Sequence, residues 1–372
     1  MSQRENVNPI REQNHRKNSR RYQKRAAARR RRNTIFIVEI VLLLILAVVL
    51  FFMSKLSKIE KTKLDMDKIE VNEDISQESQ KIMKGYQTIA MFGLDNRSNG
   101  NLSQGRSDVI MLANINNDTK EVKLVSVYRD TYLDTGDGIF QKCNAAYAKG
   151  GPEQAISMLN VNLDLNITDY VTVDFNSIIE CVDLLGGVDM EITDDEASLM
   201  TGYIRELNEL TGNKAENLTQ GGTYTLNGVQ ACAYARIRYG GGDDYRRTER
   251  QRTVLTAMVK KAQQSDLTTV NKLINEVCGD IQTSFSNAEL LALASQVFQY
   301  SIGDTTGFPF TKTTKVLSKK TGDVVIPCDL SDNVKELHIF LYEDSAYTVS
   351  DTVKQNSEKI VSDTGFKSGD GH

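Results

Sequence analysis

Histidine is scarce in this 372-residue chain, and its three copies lie outside the central part of the sequence, at His15, His338 and His372. This placement argues against a catalytic triad or a zinc site built on histidine in the main domain. Only four prolines occur, which argues against collagen-like and low-complexity classes. The five cysteines are odd in number and form no CxxC pair, so a full disulfide framework is excluded. Buried thiols are expected, and a single disulfide is the alternative.

Charge is unevenly distributed along the chain. Residues 1–33 carry a net charge of +10 and residues 54–372 a net charge of −13, within a total of −4. Between them, residues 34–53 (TIFIVEIVLLLILAVVLFFM) contain Glu39 as their only charged side chain. At about 1.5 Å per residue, twenty such residues match a hydrocarbon core of about 30 Å and predict a single transmembrane helix.

The basic residues indicate the orientation of this predicted helix. A run of four arginines at 29–32 directly precedes it. The positive-inside rule therefore places residues 1–33 in the cytoplasm and the rest of the chain outside the cell. We interpret the basic head as an orientation signal attracted to anionic lipids, and expect no nucleic-acid partner.

The exported part of the chain is predicted to contain one α/β domain. Residues 54–85 are charged and are interpreted as a juxtamembrane stalk, and residues 346–372 as a polar, disordered tail. Over residues 86–345, short apolar strands alternate with helical stretches, which favours a mixed central β-sheet sandwiched by helices, an α/β/α architecture. Later helices are predicted near 227–237, 247–263, 266–278, 286–300 and 331–342.

Acidic residues stand at two neighbouring strand ends. Asp95 follows the strand QTIAMFG, and Asp108 opens the strand DVIMLANIN. Carboxylates at facing strand ends can converge on Mg²⁺, which is commonly held by one or two of them together with phosphate oxygens. The alternative is that these residues are turn formers and solvated charges.

Arginines are concentrated at two further places. Arg129 follows the strand EVKLVSVY and is expected at the same sheet edge as the two aspartates. Between 236 and 252 the chain contains many arginines and no lysine; Arg247, Arg250 and Gln251 have the spacing of one helix face. Because the planar guanidinium binds phosphate oxygens in pairs, this cluster favours phosphate binding over a plain basic surface.

The motifs GLDNR, GRSDVIML, VSVYRDTYL, KCNAAYAKGG, VTVDFNSIIECVDLLGGVDMEI and LNGVQACAYARIRYGGGDDYRRTERQRTVL occur in this order over about 87–260. In this series the chain resembles the LytR-CpsA-Psr family of cell-wall proteins. The resemblance implies a membrane-anchored extracellular phosphotransferase of a Gram-positive-type envelope. Such an enzyme moves a glycopolymer, of teichoic acid or capsular polysaccharide type, from an undecaprenyl pyrophosphate carrier to a peptidoglycan sugar hydroxyl.

The resemblance also implies roles for individual residues, with Mg²⁺ as the cofactor. Asp95 and Asp108 would hold the metal ion. The pyrophosphate would be bound by Arg106, Arg129, Arg236, Arg238, Arg247 and Gln251. The catalytic set would be Asp108, Arg129, Asp244 and Gln251, with the proton acceptor left open between Asp108 and Asp244. A non-catalytic binder or regulator of polyprenyl pyrophosphates or anionic wall polymers is the alternative function, and a lipid-carrier pyrophosphatase is a third.

Overall fold

The computed structural model describes residues 60–61, 64–94, 102, 105–238, 244–266, 269, 272–273 and 281–372. These residues belong to one compact unit, Leu56–His372. The strands are β1 (Glu60–Lys61), β2 (Tyr86–Leu94), β3 (Ser107–Asn116), β4 (Glu121–Val127), β5 (Tyr132–Asp134), β6 (Phe140–Lys142), β7 (Asp169–Asp174), β8 (Val188–Ile192), β9 (Gly222–Leu226), β10 (Ile281–Thr283), β11 (Ser301–Phe308), β12 (Lys312–Ser318) and β13 (Gly322–Pro327). The helices are α1 (Gln77–Met83), α2 (Ala145–Leu163), α3 (Phe175–Leu184), α4 (Asp194–Thr211), α5 (Gly228–Arg236), α6 (Asp244–Gln264), α7 (Asn287–Ser295), α8 (Leu330–Tyr342) and α9 (Asp351–Thr364).

A seven-stranded mixed sheet forms the centre of the domain, in the order β1-β10-β7-β2-β3-β4-β11. Strands β2, β3 and β4 are antiparallel neighbours, whereas β7 runs parallel to β2, and β11 parallel to β4. The β3–β4 register pairs Met111 with Ser126. Continued beyond the ladder, this register sets Asp108, at the start of β3, opposite Arg129, just after β4.

Both faces of the sheet are covered, which explains why its central strands β2, β3 and β4 are mostly apolar. One face packs against helices α2, α8 and α9 through a core that includes Phe92, Leu112 and Ile156. The other face carries a smaller cluster with Leu255 of α6 and Leu293 of α7 packed against it. The predicted mixed sheet flanked by helices is therefore confirmed.

A second core lies beside the sheet and supports the arginine-rich segment. It joins α3, the antiparallel β8–β9 pair and α4, which connects those two strands, to α5 and α6. Helix α5 approaches α3 so closely that a Cβ atom on Gly228 would lie 2.1 Å from the carbonyl oxygen of Ile179. Only glycine permits this contact, and the close packing fixes the direction in which α5 delivers Arg236 at its end.

The C-terminal segment differs from the prediction. Residues 346–372 were expected to be disordered, yet α9 occupies Asp351–Thr364, and its Val353 and Ile360 are fully buried in the main core. The buried Asp164 carboxylate accepts hydrogen bonds from the Tyr347 hydroxyl and the Ser350 backbone N–H. The polar composition of this segment does not reveal that Val353 and Ile360, two helical turns apart, lie on one face and dock the helix.

The predicted stalk is also partly wrong. Ile69, Ile75 and Met83 are buried in the main core, and α1 begins at a Ser76 cap that accepts from the Ser79 backbone N–H. Residues 69–83 are thus part of the domain, because their widely spaced apolar side chains reach its core. Of the predicted helices, most of 266–278 lies outside the described residues, while α7 ends at Ser295 and a strand, β11, follows.

The predicted membrane span at 34–53 lies outside the described residues, as does the basic head. Among the helices that the structure does describe, none is both long enough and apolar enough to cross a membrane.

Candidate active site

Asp108 and Arg129 form the base of the candidate site. The Arg129 Nη1 atom lies 2.6 Å from the Asp108 Oδ1 atom, and both side chains are mostly buried. The pair results from the β3–β4 register, which brings the start of one strand to the end of the other. The predicted proximity of Asp108 and Arg129 is therefore confirmed, whereas Asp95, predicted at the same sheet edge, lies outside the described residues.

Asp244, the first residue of α6, joins this pair to the arginine cluster. Its carboxylate lies 3.5 Å from Arg129 Nε, 3.2 Å from Arg247 Nη2 and 3.8 Å from Arg238 Nη2. The Arg247 side chain is only 5% exposed, and its Nε and Nη2 atoms have no hydrogen-bond partner within the described structure. The contact to Asp244 is thus an ion pair without hydrogen-bond geometry, which leaves Arg247 able to donate to a ligand.

Gln251 lies one turn further along α6 and faces the same cavity. Its Oε1 atom is buried and accepts no hydrogen bond from the described residues. Arg250, expected on this face, instead pairs with Glu196 at 3.1 Å and also lies near the Ile237 carbonyl. Arg250 therefore ties α6 to the start of α4 and does not line the cavity.

Arg236 enters from the end of α5. Its guanidinium carbon lies 5.2 Å from the centre of the Phe175 ring and 5.7 Å from that of Tyr203. Its Nη2 atom lies 3.2 Å from Glu206 Oε1. Two aromatic rings and one carboxylate thus hold this arginine in place.

These side chains surround a polar cavity of about 350 Å³. It is lined by Asp108, Val109, Arg129, Phe175, Tyr203, Arg236, Arg238, Arg247 and Gln251. A second, apolar cavity of about 130 Å³ lies between the sheet and helices α3, α5 and α6, where Met91, Ile178 and Leu255 contribute to its wall. Val109, Phe175 and Gln251 line both cavities, so the apolar space adjoins the arginine-lined one.

Burial and neighbouring charge oppose each other at the centre of the site. Burial alone would lower the pKa of Arg129, but the charges of Asp108, Asp244 and Asp130 outweigh it and raise that pKa. Burial raises the pKa of Asp244, helped by the nearby Asp130 carboxylate and opposed by Arg129 and Arg238. Arg129 is therefore a permanent cation, and Asp244 is a stronger proton acceptor than an ordinary aspartate.

Two predicted residues are not placed in the cavity. Arg106 is exposed just before β3 and does not line it. Asp95 lies outside the described residues, so the predicted Asp95–Asp108 metal pair stays a prediction. No group of three or more acidic, histidine or cysteine side chains suited to a metal occurs in the described part of the chain. Asp108 nevertheless faces the cavity with a carboxylate, the hard oxygen ligand that Mg²⁺ accepts.

Three residues of the site were not foreseen: Phe175, Tyr203 and Glu206. The last two stand one turn apart on α4, a helix that the sequence prediction missed. Its signal was present, because buried Ala197, Met200, Ile204 and Leu207 recur at helical spacing. A capping box between Thr193 and Glu196 marks where the helix begins.

Comparison with known proteins places the chain in a family and supports its fold. The LytR_cpsA_psr family profile matches residues 46–315, and the chain belongs to this family. A polyisoprenyl-teichoic acid–peptidoglycan teichoic acid transferase, TagU of Enterococcus faecalis, is 30% identical over 210 residues. That match covers 56% of this chain and 64% of the relative, just under two thirds of its length.

Two solved structures share the fold. TagT bound to LI-WTA superposes with a TM-score of 0.57 at 22% identity, covering 75% of this chain and 99% of that one. The LytR-CPS2A-psr family protein YwtF (TagT) with bound octaprenyl pyrophosphate lipid gives a TM-score of 0.54 at 21% identity, with the same coverage. At these identities the likeness establishes the mixed α/β fold.

Proposed function

We propose that this protein is a membrane-anchored extracellular phosphotransferase. It would transfer a glycopolymer from an undecaprenyl pyrophosphate carrier to a sugar hydroxyl of peptidoglycan. The observation that carries this proposal is the pair of adjoining cavities, one apolar and one lined by arginines. A polyprenyl pyrophosphate has the same two parts, an apolar chain joined to a strongly anionic headgroup.

The polar cavity suits a pyrophosphate in charge and in hydrogen bonding. Among the described residues, four guanidinium groups line it, against the carboxylates of Asp108 and, at its edge, Asp244 and Glu206. Phosphoryl transfer depends mainly on positioning the phosphates and neutralising their charge, which arginines achieve through paired hydrogen bonds. The names of the teichoic acid transferase and of the octaprenyl pyrophosphate complex support the same substrate class.

The proposed reaction breaks the bond between the bridging oxygen of the pyrophosphate and the phosphorus that bears the glycan. The acceptor hydroxyl oxygen forms the new bond to this phosphorus, and polyprenyl phosphate departs with the bridging oxygen. A carboxylate must take the hydroxyl proton. Asp244 is favoured over Asp108, because burial raises its pKa while Asp108 is engaged by Arg129 at 2.6 Å.

Mg²⁺ and the membrane anchor belong to this proposal. Asp108, together with Asp95, would hold the ion, which would neutralise phosphate charge. Residues 34–53 would anchor the chain with residues 1–33 in the cytoplasm, so that the catalytic domain meets lipid carriers and peptidoglycan outside. These expectations rest on the sequence pattern and on the donor chemistry of Asp108.

The test uses the full chain in detergent with a lipid-linked glycopolymer, peptidoglycan and varied Mg²⁺. Arg129→Ala should abolish transfer, whereas Arg205→Ala, an exposed residue on α4, should retain it. A folded Arg129→Ala protein with unchanged transfer would refute the proposed site. Release of polyprenyl phosphate with water as the acceptor would identify a pyrophosphatase, and ligand binding without product at any Mg²⁺ concentration would identify a binder or regulator.

A further inference from the structure

Glu206 is an acidic residue at a site built to receive an anion. It lies 3.2 Å from Arg236, one of the four arginines that line the polar cavity. Its side chain is 38% exposed, compared with 25% for Asp108 and 16% for Asp244. Of the three carboxylates, Glu206 is therefore the one that water can most easily solvate when another anion takes its arginine.

Arg236 does not depend on Glu206 alone for its position. The Phe175 and Tyr203 rings lie within 6 Å of its guanidinium carbon, an arrangement that stabilises a cation. The packing of α5 on α3 at Gly228, at the other end of the helix, fixes the position of α5 as a whole. Removal of the Glu206 charge should thus leave Arg236 in the cavity with one anion fewer.

Arg236 is also placed next to the apolar space. Phe175, on which it stacks, and Ala235, its neighbour in sequence, both line the apolar cavity. If the prenyl chain occupies that cavity, the phosphate attached to the chain enters the polar cavity past Phe175, beside Arg236. This is the phosphate that remains on the lipid after transfer.

We propose that Glu206 is a product-release residue that competes with the lipid-side phosphate for Arg236. Glu206 pairs with Arg236 in the ligand-free protein, is displaced by the bound donor, and recaptures Arg236 as polyprenyl monophosphate leaves. The proposal rests on the function proposed above and adds a residue that limits how tightly product is held. Glu206 acts through Arg236 and is not itself a catalytic residue.

The test is Glu206→Gln in the full chain, with Glu209→Gln as the matched control. Glu209 lies one turn later on the same helix, is exposed and lines a separate outer groove. The probe is farnesyl phosphate, whose affinity is measured by calorimetry and whose dissociation rate is measured by rapid dilution. Because a partly exposed ion pair has a modest strength, Glu206→Gln should bind the probe about two- to fivefold more tightly and release it more slowly by a similar factor.

Whether Glu206→Gln raises or lowers the affinity for farnesyl phosphate distinguishes the two roles. If Glu206 served only to orient Arg236, the variant would bind farnesyl phosphate more weakly, and equal affinity would also overturn the proposal. In the transfer assay the KM for the lipid donor and kcat should fall together, while Glu209→Gln matches the wild type. Failure of the wild-type protein to bind farnesyl phosphate would instead remove the proposed function, and this inference with it.

Discussion

Ala235→Leu should separate recognition of the lipid chain from recognition of its headgroup. Ala235 lines the apolar cavity but not the polar one, and the substitution adds three carbons to a space of about 130 Å³. At about 0.8 kcal/mol per buried methylene, exclusion of three prenyl carbons costs roughly 2 kcal/mol, or about 30-fold in affinity. Inorganic pyrophosphate lacks these carbons, so its affinity should change less than about twofold.

The assay compares octaprenyl pyrophosphate in detergent with inorganic pyrophosphate, each by calorimetry, on the wild-type and variant proteins. Ala346→Leu, at an exposed position, is the control for the added apolar surface. Overpacking typically costs about 1–3 kcal/mol of stability, so thermal unfolding must show that the variant is folded at the assay temperature. Equal losses for both ligands, or no loss for the lipid, would refute the assignment of the chain to this cavity.

Three further predictions concern stability. Asp244→Asn leaves the nearly buried Arg247 without its carboxylate and should lower the free energy of unfolding, measured by denaturant titration, by about 1–3 kcal/mol. Inorganic pyrophosphate should recover this lost stability. Burial lowers the pKa of His338 to about 4, so the folded state keeps it neutral while the unfolded chain protonates it near pH 6.5. The contribution of His338 to the free energy of unfolding is fully present above pH 6.5 and falls by roughly 3 kcal/mol as the pH drops toward 4. In unfolding titrations across this pH range, His338→Phe should make the free energy of unfolding depend less on pH than it does in the wild type. Ile360→Ala should lower the free energy of unfolding in urea by about 2–5 kcal/mol, whereas Glu358→Ala, at an exposed position, should lower it by less than about 0.5 kcal/mol. Equal effects of the two substitutions would contradict the docking of α9.

The sequence was sufficient to predict which site residues lie together where a short hairpin or a single helix connects them. Asp108 and Arg129 are 21 residues apart and belong to one antiparallel hairpin, so strand patterning alone predicts that they meet. Asp244, Arg247 and Gln251 are brought together by the spacing of a single helix. Such pairs depend on backbone geometry that a few neighbouring residues define.

Contacts between side chains far apart in the sequence could not be predicted from the sequence. Helical spacing grouped Arg250 with Arg247, yet its actual partner is Glu196, 54 residues earlier. Likewise, nothing in the residues around Glu206 indicates that it meets Arg236, because that contact requires the packing of α4 beside α5. The docked C-terminal helix was missed for the same reason, since two apolar side chains reveal a buried face only when a core is present to receive them.

The β3–β4 register has a consequence for where the site can be damaged. Residues 117–120 form the turn of this hairpin, at the end of β3 opposite Asp108. At about 3.4 Å per residue the ten-residue strand carries that turn about 30 Å from the cation–carboxylate pair. Insertion of one residue there, if absorbed as a slip of β4, would turn Arg129 to the opposite face of the sheet. The length of this distant surface turn thus sets the register that places Arg129 opposite Asp108. Natural or engineered changes in its length should be tolerated only when they preserve that pairing.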